Sequence, residues 1–164
     1  MENYIEQKYI LSQNADLFEN NDGTLFFRLY LGDKDEKKIA SHLSLCFESD
    51  EANRYDIFIE SFLTIIPYRQ RGYGKFLFKN AEVSVKYYIE KYKLDVKKIY
   101  GNLVKSDKKF WHISFDLYNQ FALYVFENDF KCLINGRKVN PNNKRKLKHL
   151  FNKTDYVDFA FYRE

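Results

Sequence analysis

The ten residues Ile66-Pro67-Tyr68-Arg69-Gln70-Arg71-Gly72-Tyr73-Gly74-Lys75 combine three cations with two closely spaced glycines. That combination suits a phosphate. Glycines let backbone N–H groups approach an anion closely, and a helix starting there aims its unsatisfied N–H groups and positive dipole end at the same point. Arg69, Arg71 and Lys75 add charge. Two better-known phosphate motifs do not fit. A dinucleotide fingerprint needs a third glycine where Leu77 stands, and a Walker loop needs Ser or Thr where Phe76 follows the lysine. What remains is Arg-x-x-Gly-x-Gly, expected after a strand and before an amphipathic helix.

Other side chains with chemical potential are scattered. Glu60 lies inside the apolar run Ile57 to Ile66, where a carboxylate is costly unless it is used or paired with a neighbouring Arg or Lys. His42 and His112 sit in a strand pattern and an aromatic helix pattern, where a histidine is commonly a satisfied core residue. Trp111 and its aromatic neighbours read as packing. Cys46 and Cys132 have no metal-ligand spacing and form no disulfide framework, and no metal site is expected.

The composition bounds the rest. A chain of 164 residues with 30% charged side chains fits one domain spanning 1–164, and 16 Phe with 14 Tyr provide bulk for a core. No apolar run approaches the ~18 residues of a membrane span, and the opening Met-Glu-Asn-Tyr-Ile-Glu has no secretory pattern, so a cytoplasmic protein is expected. The net charge is +4, and eight basic residues (Lys131, Arg137, Lys138, Lys144, Arg145, Lys146, Lys148, Lys153) stand between 131 and 153 with no acid among them. This segment reads either as a solvated basic loop or as a contact for an anionic partner such as nucleic acid.

The elements that must position these residues follow from periodicity. Thr24 to Leu31, Lys38 to Glu48 and Arg54 to Ile66 are aromatic and β-branched, with polar turns at 21–23 and 32–37, and an earlier strand is expected near Tyr4 to Leu11. On the second of these strands, Ile39, Ser41, Leu43, Leu45 and Phe47 share a side. From Gly72 to Tyr92, Leu77, Ala81, Val85, Tyr88 and Tyr92 recur at helical spacing. Lys97 to Val104 is strand-like, Phe110, Ile113, Leu117, Phe121 and Tyr124 predict a second helix, and Phe130 to Ile134 and Tyr156 to Tyr162 return to strand. The fold class is α+β, built on a mixed, mostly antiparallel sheet flanked by helices.

The Arg-x-x-Gly-x-Gly motif, placed between strand and helix and followed by another strand and helix and by Leu123-Tyr124 to Phe130, resembles the acetyl-CoA signature of the Gcn5-related N-acetyltransferase (GNAT) superfamily. The resemblance runs from Arg54 to Phe130. It implies that the family's two helices between the first strands are reduced here, because Gln13 to Asp22 is short and rich in turn formers. The acceptor side would then be open. Pro67-Tyr68-Arg69 is one residue shorter than the family's usual spacing.

The resemblance also implies roles. Acetyl-CoA would be the cosubstrate, with Leu63, Thr64 and Ile65 pairing with its pantetheine arm and Arg69, Gln70, Arg71, Gly72, Tyr73, Gly74 and Lys75 around its pyrophosphate. Acetyl transfer to a primary amine would be direct, with the leaving thiolate protonated by Tyr124 or, second, Tyr118. About 120° of helix separates these two tyrosines, so they cannot share one role. Glu60 would serve as base, with His42 and His112 as alternatives. The acceptor is an amine on a small molecule, a protein or an aminoacyl-tRNA. The alternative is a non-catalytic module of the same fold that binds nucleic acid or protein through residues 131–153. No membrane partner is expected, and the oligomeric state stays open, a dimer included.

Overall fold

The computed structural model describes residues 8–13, 18–19, 25–33, 38–51 and 54–163. The chain divides into two compact units, Met1–Asp95 and Val96–Glu164. The first holds strands β1 (Lys8–Gln13), β2 (Phe18–Glu19), β3 (Leu25–Asp33), β4 (Lys38–Glu51) and β5 (Arg54–Thr64), then helix α1 (Tyr73–Tyr92). β1 and β2 each pair with β3, β3 with β4, and β4 with β5, all antiparallel.

Alternation along these strands builds one apolar face. Phe27, Leu29 and Leu31 of β3, Leu43, Leu45 and Phe47 of β4, and Ile57 and Ile59 of β5 are buried. Helix α1 covers that face with Leu77, Ala81, Val85 and Tyr88 of the expected stripe and with Phe78, the Tyr88 ring lying 6.1 Å from Phe27 and Phe78 edge-on to Phe62 at 4.8 Å, whereas Tyr92, the last residue of that stripe, is 41% exposed at the helix end. Full burial of each Val, Leu, Ile or Phe side chain in this layer stabilises the unit by about 1.5–3 kcal/mol.

Two irregularities alter the expected pattern. Leu31 pairs with Ser41 and Gly32 with Ile39, so Ala40 is an extra residue that reverses the facing of its neighbour. Ile39 is accordingly 43% exposed, whereas Ser41, Leu43, Leu45 and Phe47 keep the shared buried side. Farther along, Ser44 pairs with Ser61 and Leu45 with Ile59, leaving Glu60 as the bulged residue of β5.

Strand β5 stops at Thr64, two residues before the expected Ile66, because Ile66–Tyr68 turns as a short 3₁₀ helix around Pro67. Proline cannot donate to a sheet ladder and restricts the residue before it. Part of the earlier strand near Tyr4 to Leu11 and the turns at 21–23 and 34–37 lie outside the described residues. Among the described residues no helix precedes the 3₁₀ turn at Ile66.

The second unit holds β6 (Asp95–Val104, beginning at the last residue of the first unit), a 3₁₀ helix Lys105–Phe110, helix α2 (Trp111–Phe126), β7 (Lys131–Ile134), β8 (Arg137–Val139), helix α3 (Lys144–Asn152) and β9 (Tyr156–Tyr162). β9 lies between β6 and β7, and β8 closes a hairpin on β7, all antiparallel. The hairpin turns on Asn135 (φ 49°) and Gly136 (φ 78°), the left-handed pair that a two-residue turn requires.

The core of this unit is aromatic. Phe115 meets Phe159 and Phe161 at 6.1 and 5.6 Å, Phe130 meets Phe161 at 5.8 Å, and Trp111 donates its indole N–H to the Val104 carbonyl at 2.9 Å. The buried side of α2 is Trp111, Phe115, Leu117, Tyr118, Phe121, Ala122 and Phe126. The expected stripe of Phe110, Ile113, Leu117, Phe121 and Tyr124 is therefore out of phase, with Ile113 58% and Tyr124 40% exposed. Residues 131–153 are not a loop either. They form the β7–β8 hairpin and α3, whose Leu147 and Phe151 are buried.

Candidate functional site

In the first unit, the cationic, glycine-bearing segment is the junction between β5 and α1, as its pattern predicts. Gly72 is the N-cap of α1 at φ 74°, and Gln70 also adopts a left-handed conformation, at φ 62°. Gly72 supplies the conformation that a side chain would resist, and its carbonyl accepts the first helical bond from Phe76 N–H at 3.1 Å. No side chain caps the helix, and its first turn carries no acid. The N–H groups of Tyr73, Gly74 and Lys75 thus point out of the helix start without intrahelical acceptors. Arg71 and Lys75 are exposed beside them. N–H donors without intrahelical acceptors and the positive end of a helix dipole are the elements of an anion site, and Arg71 and Lys75 are neighbours in sequence.

The neighbouring side chains have structural duties. Arg69 donates from Nε to the Thr64 carbonyl at 2.9 Å, tying the turn back to the strand end, so it positions the loop. Tyr68 and Tyr73 are buried edge-to-face at 5.6 Å beneath the loop, and the Arg71 guanidinium lies 5.6 Å over the Tyr68 ring. Along the strand end, the Leu63 carbonyl accepts Ser41 Oγ at 3.0 Å, and Ile65 N–H donates to Ala40 at 2.8 Å. Leu63 and Ile65 are partly exposed.

On the side of the sheet opposite α1, register brings polar groups together. Arg28 pairs with Ser44 and Tyr30 with His42 across β3 and β4. Ser44 Oγ donates to Glu60 at 2.6 Å and accepts from Arg28 Nε at 3.4 Å. The bulge turns Glu60 outward, so the carboxylate is exposed and satisfied, not trapped in the apolar run as its sequence neighbours suggest. His42 Nε2 lies 2.8 Å from Ser61 Oγ, and burial pushes the imidazole below its ordinary value, which favours the neutral, proton-accepting form. Ser44 and Ser61 escape sequence reading because their partners depend on a bulge that no local pattern marks.

Within the second unit, the two candidate tyrosines differ sharply. Tyr118 is buried and lies stacked on Phe159 at 5.1 Å, and loss of hydration holds its phenol well above the usual tyrosine range despite a hydrogen bond with Ser114. Tyr124 is 40% exposed on another face of the same helix. His112 is exposed, with its ring 5.3 Å from Phe151, and serves packing. Among the described residues no group of three His, Cys, Asp or Glu side chains is placed to hold a metal ion, and no helix is long and apolar enough to cross a membrane.

Comparison with protein-family models finds no match, and comparison with curated proteins finds none. Solved structures do match. A GNAT-family acetyltransferase from Streptococcus pneumoniae is 11% identical with a TM-score of 0.46, covering 83% of this chain and 66% of its own. Arabidopsis thaliana Naa50, in complex with the bisubstrate analogue CoA-Ac-MVNAL, is 14% identical with a TM-score of 0.46, covering 84% and 72%. The ribosomal-protein-S18-alanine N-acetyltransferase from Escherichia coli is 11% identical with a TM-score of 0.44, covering 85% and 70%. The chain thus spans 66% to 72% of the length of these three structures. Superpositions this loose carry no argument, and the α+β fold class rests on the elements described above.

Proposed function

We propose that the chain is an acetyl-CoA-dependent N-acetyltransferase of the GNAT superfamily, acting on a primary amine. The observation that carries this reading is the start of α1: an uncapped helix N-terminus behind a left-handed Gly72, with Arg71 and Lys75 beside it, at the end of a strand. Backbone N–H groups of Tyr73, Gly74 and Lys75 hold the pyrophosphate, and the strand end at Leu63 to Ile65 supports the pantetheine arm. Arg69 and Gln70 shape the loop.

In the reaction the amine nitrogen bonds to the thioester carbonyl carbon, the C–S bond breaks, and the thiolate takes a proton. Tyr124 is the proposed donor, because the buried Tyr118 holds its proton too tightly for this task. The ammonium proton passes to Glu60, directly or through water, or to neutral His42. Support for an acceptor on this side of the sheet comes from the polar groups Arg28, His42, Ser44, Glu60 and Ser61 gathered there.

The test is thiol release from acetyl-CoA over a panel of polyamines, free amino acids and peptides with free N-termini. Acetyl-CoA binding with release stimulated by one class identifies the acceptor. Binding without any stimulated release favours the non-catalytic alternative, and no binding refutes the assignment.

A further inference from the structure

The charge of this protein is divided unevenly. The chain carries 27 basic and 23 acidic side chains; residues 1–95 hold 13 and 16 of them, and residues 96–164 hold 14 and 7. Within the second unit the excess gathers on α3. Leu147 and Phe151 anchor this helix, Phe151 meeting Trp111, His112 and Phe115 at 5.8, 5.3 and 5.7 Å. Lys144, Arg145, Lys146, Lys148 and His149 are all exposed, and Lys153 follows at the helix end.

Three features separate this face from an ordinary solvated helix. First, Lys144, Arg145 and Lys146 occupy the first turn, where the dipole disfavours cations by about 0.3–1 kcal/mol each, and no acid offsets them. The Asn143 side chain caps Lys146 N–H at 3.1 Å, so the helix forms despite this conflict, and an anion at that end would relieve it. Second, four cations from Lys144 to Lys148 fall within about 6 Å of helix axis, a density matched by a phosphodiester backbone. Third, the basic surface continues past the helix end. Lys108 donates to the Thr154 carbonyl at 2.6 Å, and Lys105 and Lys108 pair with Asp155 at 3.2 and 3.4 Å; with Lys109 and the exposed Asp107, the three lysines outnumber the two acids there by one.

We propose that the exposed basic face of α3, extended by the Lys105–Phe110 segment, binds the phosphate backbone of a nucleic acid. The apolar side of α3 is already buried against α2, so no hydrophobic face remains to enter a membrane. Binding through phosphates is read from charge alone and does not depend on the acetyl-CoA reading.

Fluorescence anisotropy with labelled oligo(U), tRNA and a DNA duplex, in the absence of acetyl-CoA, tests this directly. With four phosphates neutralised, affinity should fall roughly fifty- to one-hundred-fiftyfold between 50 and 200 mM salt. Changing Lys144, Arg145, Lys146 and Lys148 to Ala should remove most of that salt dependence, whereas changing the three lysines to Arg should preserve it. Amide shifts in the wild-type protein titrated with oligo(U) should concentrate between Lys144 and Lys153, a readout that needs no variant to fold. Absent or salt-insensitive binding, shifts confined to other elements, or equal binding to polyglutamate or phosphatidylserine vesicles would overturn the proposal.

Discussion

Ser44 donates a 2.6 Å hydrogen bond to Glu60 across the bulge in β5, and Arg28 donates to the same hydroxyl from the other side. The serine is buried while the carboxylate it serves is exposed. Ser44→Ala should therefore destabilise the protein by about 1 kcal/mol in urea unfolding, through the bonds lost on both sides. Glu60→Gln should cost less, since an amide oxygen still accepts from Ser44. If Glu60 is the base, Glu60→Gln should lower turnover by about a hundredfold or more with acetyl-CoA affinity unchanged. Equal turnover in this variant would move the role to His42 or to water.

The imidazole of His42 is held below its ordinary value by burial. Its folded form binds protons less readily than its unfolded form, so its contribution to stability is complete above the unfolded value near 6.5 and is lost as pH falls below it. His42→Gln should flatten the loss of stability as pH falls below about 6.5. An unchanged acid limb would show that other groups dominate it.

Cys132 is buried and its thiol is pushed up to about 12, whereas Cys46 is half-buried. An aromatic disulfide reagent at pH 8 should therefore label one thiol in the native protein, Cys46, and the second only on unfolding. With the folded value above the unfolded one, the stability linked to Cys132 is present below pH 9.0 and lost as pH rises toward 12. Cys132→Val should remove that part of the alkaline decline, and rapid labelling of both thiols in folded protein would contradict the assignment.

Tyr124→Phe should lower turnover while leaving acetyl-CoA affinity unchanged, because it removes only a hydroxyl. Tyr118→Phe should leave turnover within a few fold and shift stability by less than about 1 kcal/mol, since its ring keeps the stack on Phe159. The reverse outcome would assign the proton to Tyr118.

The junction between β5 and α1 was legible in the sequence because glycine spacing, local charge and a change of period all fall within Ile66 to Lys75. Strands with period-two burial and the stripe of α1 were legible for the same reason: one face is apolar and the other is not. Helix α2 carries apolar residues nearly all round, so several stripes match its sequence, and tertiary packing on Phe159 and Phe161 selects the one that is buried. The hairpin at Asn135-Gly136 and its second strand β8 were not anticipated, although Asn-Gly is a favoured two-residue turn pair. Helix α3 had an Asn cap, with Leu147, Leu150 and Phe151 at helical spacing, but its density of charge dominated the reading. The Glu60 bulge and the contacts of Ser44 and Ser61 leave no local trace, because a one-residue register shift is decided between strands.

Titration calorimetry with acetyl-CoA tests the central claim most directly, comparing wild type with Gly74→Asp. Gly74 lies inside the first turn of α1, whereas Gly72 has φ 74° and would add about 1–2 kcal/mol of backbone strain to any substitution. The account predicts one-to-one binding by the wild type with a Kd below about 1 mM, and none by a folded Gly74→Asp variant, whose carboxylate would face the pyrophosphate. No heat of binding in the wild type, or equal affinity in the variant, would contradict it.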